Sequence, residues 1–496
     1  MNRSDQVEEI LVRETATVEE VFKVLDRTGL RTVLMIDDDA RLSGVITDGD
    51  LRRAILGGAT LSDTACSVAN RQFISVRSET PDETAETYLT DRIVLVPIVD
   101  PDGRPVGFIT RAPVGFIPSA EPVLGQRELA YVTDCVRSGW ISSQGSYVSA
   151  FETQFAAYTG APHALSVSNG TVALQLALSA LGIGPGDEVI VPDLTFAASI
   201  NAILHCGATP VIVDILDDEL TIDPDEITKA ITPATRAIMP VHLYGQMSRM
   251  DRIADIAKAN DLVVVEDAAE ALGSRWQGQH AGTLGDAGTF SFFGNKLITT
   301  GEGGMVVFKD TAVAERARML RDHGMDPKQR YWHLEAGFNF RMTNMQAAVG
   351  VAQLERVETL LQAKLNLARQ YTKRLSDLRP VLSLPTALPG TDHSFWCYVV
   401  FLNGPEAAEH TEALISFMRE REIDVRPVFF PLHEMPPYRA CKRQGDCPRT
   451  VDSAGRGIVL PSSPKLTEEK IDHVCEVLRA GLKALNLQTL IEKMSG

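Results

Sequence analysis

Short apolar runs of strand length alternate with helix-period segments through the middle of this chain, and that alternation restricts its fold more than any other feature. Residues 188–191, 210–213, 237–241 and 262–265 are such runs, and residues 172–181 and 250–260 are among the helical stretches between them. Strands joined through helices pair in parallel and are covered on both faces, so the expected core is a mostly parallel sheet between helix layers. Ligands on sheets of this kind sit beyond the carboxyl ends of the strands.

One of those strand ends carries an acid. Asp267 closes the run Val263-Val264-Val265-Glu266-Asp267, and Lys296 follows in Ser291-Phe292-Phe293-Gly294-Asn295-Lys296, with Gly301, Gly303 and Gly304 beyond it. Alone, an aspartate after an apolar run is more often a cap or turn former, and a loop lysine more often a solvated charge. Together they meet the needs of pyridoxal phosphate (PLP) chemistry: a lysine to hold the cofactor aldehyde and an acid to keep its pyridine nitrogen protonated. Aromatic neighbours strip water from an amine and favour its nucleophilic form, while glycines admit close backbone approach. A phosphate site is readable as well. Residues 165–167 read as a strand, Ser168-Asn169-Gly170-Thr171 as a turn and residues 172–178 as a helix. N–H groups at that helix start, with the Thr171 hydroxyl, suit an anion. Plain capping by Ser168 or Asn169 is the competing reading.

From Pro118 onward the chain resembles the DegT/DnrJ/EryC1/StrS family of PLP-dependent nucleotide-sugar aminotransferases, with wording nearest its GDP-perosamine synthase branch. The residues that carry the resemblance are Gly139-Trp140-Ile141-Ser142-Ser143-Gln144-Gly145, Ser168-Asn169-Gly170-Thr171-Val172-Ala173-Leu174, Pro240-Val241-His242-Leu243-Tyr244-Gly245, Glu266-Asp267-Ala268-Ala269-Glu270-Ala271, the Lys296 loop, and Gly337-Phe338-Asn339-Phe340-Arg341-Met342. The resemblance implies an α/β enzyme of PLP transferase fold type I, similar to aspartate aminotransferase, with a large and a small domain. It implies catalytic roles for Lys296 and Asp267, and cofactor contacts from Gly170, Thr171, Phe196 (stacked on the pyridine ring), Glu270 (near the 3-oxygen), Ser291 (phosphate) and Asn339. In the family the last of these reaches a neighbouring subunit, so a homodimer is implied. Read locally, Phe196 is equally a core side chain, and Asn339 equally a cap for the helix bearing Met345-Gln346-Ala347-Ala348-Val349. Arg426, in Arg426-Pro427-Val428-Phe429-Phe430-Pro431-Leu432-His433, matches a family segment near the active site but reads by itself as a surface charge.

The first hundred residues hold an internal repeat. Residues 31–47 align without gaps on residues 94–110, matching Asp37 to Asp100, Arg41 to Arg104, Gly44 to Gly107 and Thr47 to Thr110. Each copy reads as strand, Asp-rich turn and strand after a helical stretch, and neither buries its sheet alone, so the two should pack together. The repeat resembles a tandem CBS pair, a module that binds adenine nucleotides between its halves. That resemblance implies nucleotide contacts at Thr47 and Asp50, from the Gly44-x-x-Thr47-x-x-Asp50 signature. The second copy keeps Gly107 and Thr110 but has Pro113 where the acid belongs, so one good site at most is expected; a docking role without ligand is the alternative.

Composition agrees with a cytoplasmic enzyme. The 496 residues carry 48 basic and 65 acidic side chains, a net charge of −17, with no dense basic tract, which argues against nucleic acid and anionic membrane as partners. Seven cysteines are scattered without zinc-site spacing and read as reduced thiols. The N-terminus lacks an apolar signal core, and no apolar run approaches the roughly 20 residues of a membrane span. The expected organisation is a CBS pair over 1–115, a Pro/Gly-rich linker over 116–125, a PLP-binding large domain over 126–374 and a small domain over 375–496. The expected reaction is a two-stage amino transfer from L-glutamate to a nucleotide-linked 4-keto-6-deoxy sugar, as used for surface polysaccharide or O-antigen. Lys296 moves the proton. Two alternatives stand beside it: a nucleotide-sensing CBS protein with an inactive aminotransferase-like half, and a PLP-dependent sugar dehydratase, whose lysine position is a histidine in relatives. No Gly-x-Gly-x-x-Gly follows a first strand, which disfavours a Rossmann oxidoreductase.

Overall fold

The computed structural model describes residues 2–4, 7–28, 30, 32–81, 84–85, 87–90, 93–110, 116–217, 219–404 and 406–485. Contacts divide the chain into two compact units, Met1–Gly115 and Phe116–Gly496.

In the first unit the sequence repeat becomes a structural one. Thr32–Ile36 pairs antiparallel with Leu42–Thr47, and Leu95–Val99 with Pro105–Thr110, each with its register shift at the equivalent place (Met35/Ile36 and Ile98/Val99). The turns also match: the Asp37 N–H donates to Arg41 O at 3.0 Å and the Asp100 N–H to Arg104 O at 2.9 Å. Each aspartate carboxylate accepts the N–H four residues on, at 2.8 Å in both copies. Leu34 and Val45 of one copy share a buried cluster with Leu95 and Phe108 of the other, the joint burial that a half-module needs. Arg31 and Pro113 lie outside the described residues.

The second unit is built on an eight-stranded sheet. Its order is Lys442–Arg443, Thr209–Val213, Glu188–Pro192, Thr235–Ile238, Val263–Asp267, Ala287–Ser291, Gly304–Phe308 and His163–Val167. Gly304–Phe308 runs antiparallel to both neighbours; the other pairings are parallel. Strand alternation sends Ile190 and Val264 into a core shared with helices Ser146–Thr159, Met250–Ala259 and Asn344–Leu354. Val189, Val191 and Val265 point into a second core, with Gly170–Ala180, Ala198–His205 and Thr311–Arg321. Helices therefore cover both faces.

Helix Val357–Leu375 leads to a four-stranded antiparallel sheet ordered Leu382–Ser383, Tyr398–Leu402, Gly457–Leu460, Arg426–Pro427. Residues 116–119, read above as linker, are docked here. Ile117 is fully buried and bridges Ile423, and the Ser119 N–H donates to Asp424 Oδ2 at 3.1 Å. Ile117 explains the difference, since burying such a side chain contributes about 1.5–3 kcal/mol, while Phe116 stays exposed.

Candidate active site

Asp267 ends its strand at the carboxyl edge of the sheet, 6% exposed. Period-two alternation turns it toward helix Ala198–His205, where Ser199 Oγ donates to its Oδ2 at 2.8 Å and Thr195 Oγ1 lies 2.9 Å from Ser199 Oγ. The Ala269 N–H donates to Oδ1 at 3.1 Å. Burial pushes the Asp267 carboxyl above its usual range, opposed by the Ser199 hydroxyl, the Ala269 N–H and the charge of Lys296. Glu266 faces the opposite way, accepts the N–H groups of Gly282 and Leu284, and pairs with His242 Nε2 at 2.8 Å. The Ser248 N–H donates to His242 Nδ1 at 3.1 Å, so Nε2 carries the proton toward Glu266. This buried pair braces the strand end from behind, and the His242 N–H donates to Asp267 O at 3.0 Å.

Lys296 lies in the loop after Ala287–Ser291, its side chain 13% exposed and its Nζ 3.4 Å from Glu270 Oε1. Burial pushes the Glu270 carboxyl up, opposed by Lys296 and by the Tyr244 N–H, which donates to Oε2 at 2.9 Å. The same Nζ stands 3.8 Å from the centroid of the Trp396 ring. Rings continue outward from there. Tyr244 stacks on Trp396 at 6.1 Å and on Phe429 at 5.5 Å, and Phe429 lies 5.8 Å from Phe196. Phe196 is 59% exposed, which removes the reading of a core side chain.

Ser291 and the start of helix Gly170–Ala180 form the cradle read from sequence. Asn169 is the cap, its Oδ1 accepting the Val172 N–H at 3.0 Å while its carbonyl accepts that of Ala173. Those bonds leave the Gly170 and Thr171 N–H groups of the first turn for an anion. Gly170 is required here, because a Cβ on it would lie 2.8 Å from Ser291 Cβ. Gly304 serves the same contact: a Cβ there would meet Asn169 O at 2.6 Å. Capping thus falls to Asn169 and does not occupy Gly170 or Thr171.

The residues fit PLP. An acid whose charge is disfavoured by burial gains from a cation placed against it, which a protonated pyridine nitrogen is. The lysine, the open aromatic ring and the N–H cradle would supply its other contacts.

Four further sequence-read residues have contacts of their own. Asn339 is exposed and accepts from Arg341 Nε at 3.2 Å; helix Asn344–Leu354 is capped instead by Thr343 with Gln346, which removes the capping reading of Asn339. Arg426 is exposed and pairs with Asp424 at 3.1 Å. In the first unit, Thr47 and Asp50 form a capping box: Asp50 Oδ2 accepts from the Thr47 hydroxyl at 2.6 Å, and the Asp50 N–H donates to Thr47 Oγ1 at 3.2 Å. Ser199, Tyr244 and Trp396 carry contacts to which sequence reasoning assigned no role. Tyr244 stands inside a quoted motif, whereas the other two announce themselves by no spacing.

Residues 122–479 match the DegT/DnrJ/EryC1/StrS aminotransferase family, and residues 6–57 and 65–112 match the CBS domain. GDP-perosamine synthase of Caulobacter vibrioides is 47% identical over 361 residues, 72% of this chain and 96% of that protein. GDP-perosamine synthase of Vibrio cholerae is 42% identical over 363 residues, 73% of this chain and 98% of that protein. The crystal structure of DesV from S. venezuelae, 38% identical, superposes with a TM-score of 0.67 over 71% of this chain and 93% of its own. The architecture is that of PLP transferase fold type I, preceded by a CBS pair. The chain therefore belongs to the DegT/DnrJ/EryC1/StrS aminotransferase family and is a PLP-dependent transaminase.

Proposed function

We propose that this protein transfers the amino group of L-glutamate to the keto carbon of a GDP-linked 4-keto-6-deoxy sugar, in the making of surface polysaccharide. The observation that carries the sugar half is 47% identity across 96% of a GDP-perosamine synthase. The transamination half is supported by the convergence of Asp267, Glu270 and Lys296 at one sheet edge.

PLP, when bound, supplies the electron sink that lets an amino acid lose its Cα proton and a keto sugar gain one. Lys296 and Asp267 are the catalytic residues of this reading, with Gly170, Thr171, Phe196, Glu270, Ser291 and Asn339 completing the cofactor site. Asp267, whose carboxylate accepts from the Ser199 hydroxyl and the Ala269 N–H, would hold the ring nitrogen protonated. Lys296 Nζ takes up and returns the migrating proton, and Glu270, 3.4 Å away, stabilises its ammonium form. Gly170 and Thr171 N–H groups with the Ser291 hydroxyl would hold the cofactor phosphate, and Phe196 would pack on its ring. The exposed Asn339 serves the site of a second copy, which makes the working unit a homodimer.

The CBS pair is proposed to bind an adenine nucleotide at Thr47 and Asp50 and to tune activity. Because these two now cap each other, a ligand there exchanges their mutual hydrogen bonds for its own. Among the described residues no helix is long and apolar enough to cross a membrane.

The test is direct. Purified protein given L-glutamate and GDP-, dTDP- or UDP-linked 4-keto-6-deoxy sugar is assayed by mass spectrometry, and the amino sugar is expected from the GDP substrate at the highest kcat/KM. Amination of only the dTDP or UDP sugar would reject the GDP assignment. Unchanged kinetics and melting temperature with AMP, ATP and GDP would reject the nucleotide-sensing role.

A further inference from the structure

Trp396 has no part in the chemistry above, yet it touches the residue at its centre. It belongs to the C-terminal domain, just ahead of strand Tyr398–Leu402, and reaches back to the lysine loop of the large domain. The indole N–H donates to Asn295 O at 2.9 Å, one residue before Lys296, while the ring face lies under Lys296 Nζ at 3.8 Å.

The indole is held from three sides. Phe395, with φ of 48°, turns the chain before the strand begins. Behind Trp396 stands Lys364, 2% exposed, whose Nζ donates to Trp396 O at 2.7 Å and also to Ser462 O. In front, Tyr244 stacks on the indole with the planes 9° apart, and the Tyr244 hydroxyl is committed to the Phe429 N–H at 3.2 Å. Swinging the indole away from Lys296 therefore means breaking the Tyr244 stack and the Asn295 bond together. A buried lysine making hydrogen bonds to two carbonyls is a costly way to fix one main-chain oxygen, unless the position of the attached ring matters.

A lysine that serves as both anchor and proton carrier leaves the cofactor in each half-reaction and must stay close while free. Its four-carbon stem has the freedom to wander. Two groups are placed to hold the freed amine: the Glu270 carboxylate at 3.4 Å and the indole face at 3.8 Å. Tryptophan is the strongest aromatic partner for a cation, more so when water is excluded.

We propose that Trp396 is a positioning residue for the catalytic lysine: its face holds the free Lys296 amine beside Glu270, and its N–H fastens the lysine loop to the C-terminal domain. The proposal rests on the transamination reading above, deepening the assignment of Lys296.

The experiment compares full-length Trp396→Leu, which removes the face and the N–H, with Trp396→Phe, which keeps a weaker face. In cofactor-free protein, an amine-acylating reagent is applied and the labelling of Lys296 is followed by peptide mass spectrometry against the exposed Lys258. Lys296 is expected to label about tenfold faster in the Leu variant and about threefold faster in the Phe variant. With cofactor and L-glutamate, the rapid first half-reaction should slow by about tenfold in the Leu variant at unchanged half-saturation, with a larger isotope effect from Cα-deuterated glutamate. Wild-type labelling rates in the folded variants would overturn the proposal, and if only the Phe variant folds, a wild-type rate there does so. A wild-type protein inert toward L-glutamate would instead remove the transamination reading and leave the labelling result standing.

Discussion

Asp267 shows how one buried charge is kept in service. Burial opposes its ionisation, and the Ser199 hydroxyl and Ala269 N–H oppose burial. Ser199→Ala removes the donor at 2.8 Å, so the carboxyl shifts further up and holds a ring cation less well. An expected loss of about 1.5–3 kcal/mol, about tenfold or more in PLP affinity, is measurable by absorbance titration. Lys296 and Asp267 were legible in the sequence because the chemistry demands that pair and the neighbouring strand pattern places the acid. Ser199 was not, because its contact with Asp267 arises only when helix Ala198–His205 packs on the sheet. Thr47 and Asp50 carry a further lesson: Thr-x-x-Asp at a helix start satisfies the local backbone whatever else it binds.

Among the elements, the start of helix Gly170–Ala180 leaves little room for a side chain. Gly170→Ala puts a Cβ 2.8 Å from Ser291 Cβ, so the cradle must open. Crowding of this kind costs about 1–3 kcal/mol. PLP affinity is expected to fall by about tenfold or more, whereas the melting temperature falls only modestly; equal losses in both would place the residue in packing alone. The alternating pattern gave the sheet and its helices correctly, but not their ends. The run read as residues 237–241 yields strand Thr235–Ile238, since Pro240 has no N–H to extend the ladder. The C-terminal strand Tyr398–Leu402 begins only after Phe395, whose positive φ breaks the extended chain and delivers Trp396 to the lysine. The cap of helix Asn344–Leu354 was readable as Thr343-Asn344-Met345-Gln346, a capping-box spacing nearer than Asn339.

At the scale of the whole molecule, buried bases govern how stability follows pH. Burial lowers Lys364 to about 8. From about pH 8 to its unfolded value near 10.4, the unfolded chain holds a proton the folded one has released, so this group makes stability rise with pH. Lys364→Met removes that contribution, and the difference in melting temperature between wild type and variant is expected to move in favour of wild type across this range. His280 and His393 are pushed down by burial to about 4 and about 3. Both fold neutral, so stability falls as pH drops from about 6.5 toward 4, where the unfolded chain takes up protons first. A melting temperature flat over that interval would contradict their burial. The division into repeat and enzyme was legible because a gapless repeat and an alternating sheet pattern are both long-range regularities; the docking of residues 116–119 was not, since four residues carry no period.

The central claim is that Lys296 and Asp267 operate PLP for amino transfer. The measurement that tests it most directly is the absorbance spectrum of purified protein before and after L-glutamate, beside Lys296→Ala. The account predicts a yellow protein whose visible band gives way to one at shorter wavelength with glutamate, and a variant that does not turn over. A colourless protein that cannot be loaded with PLP, or a Lys296→Ala variant that turns over as wild type does, would contradict it.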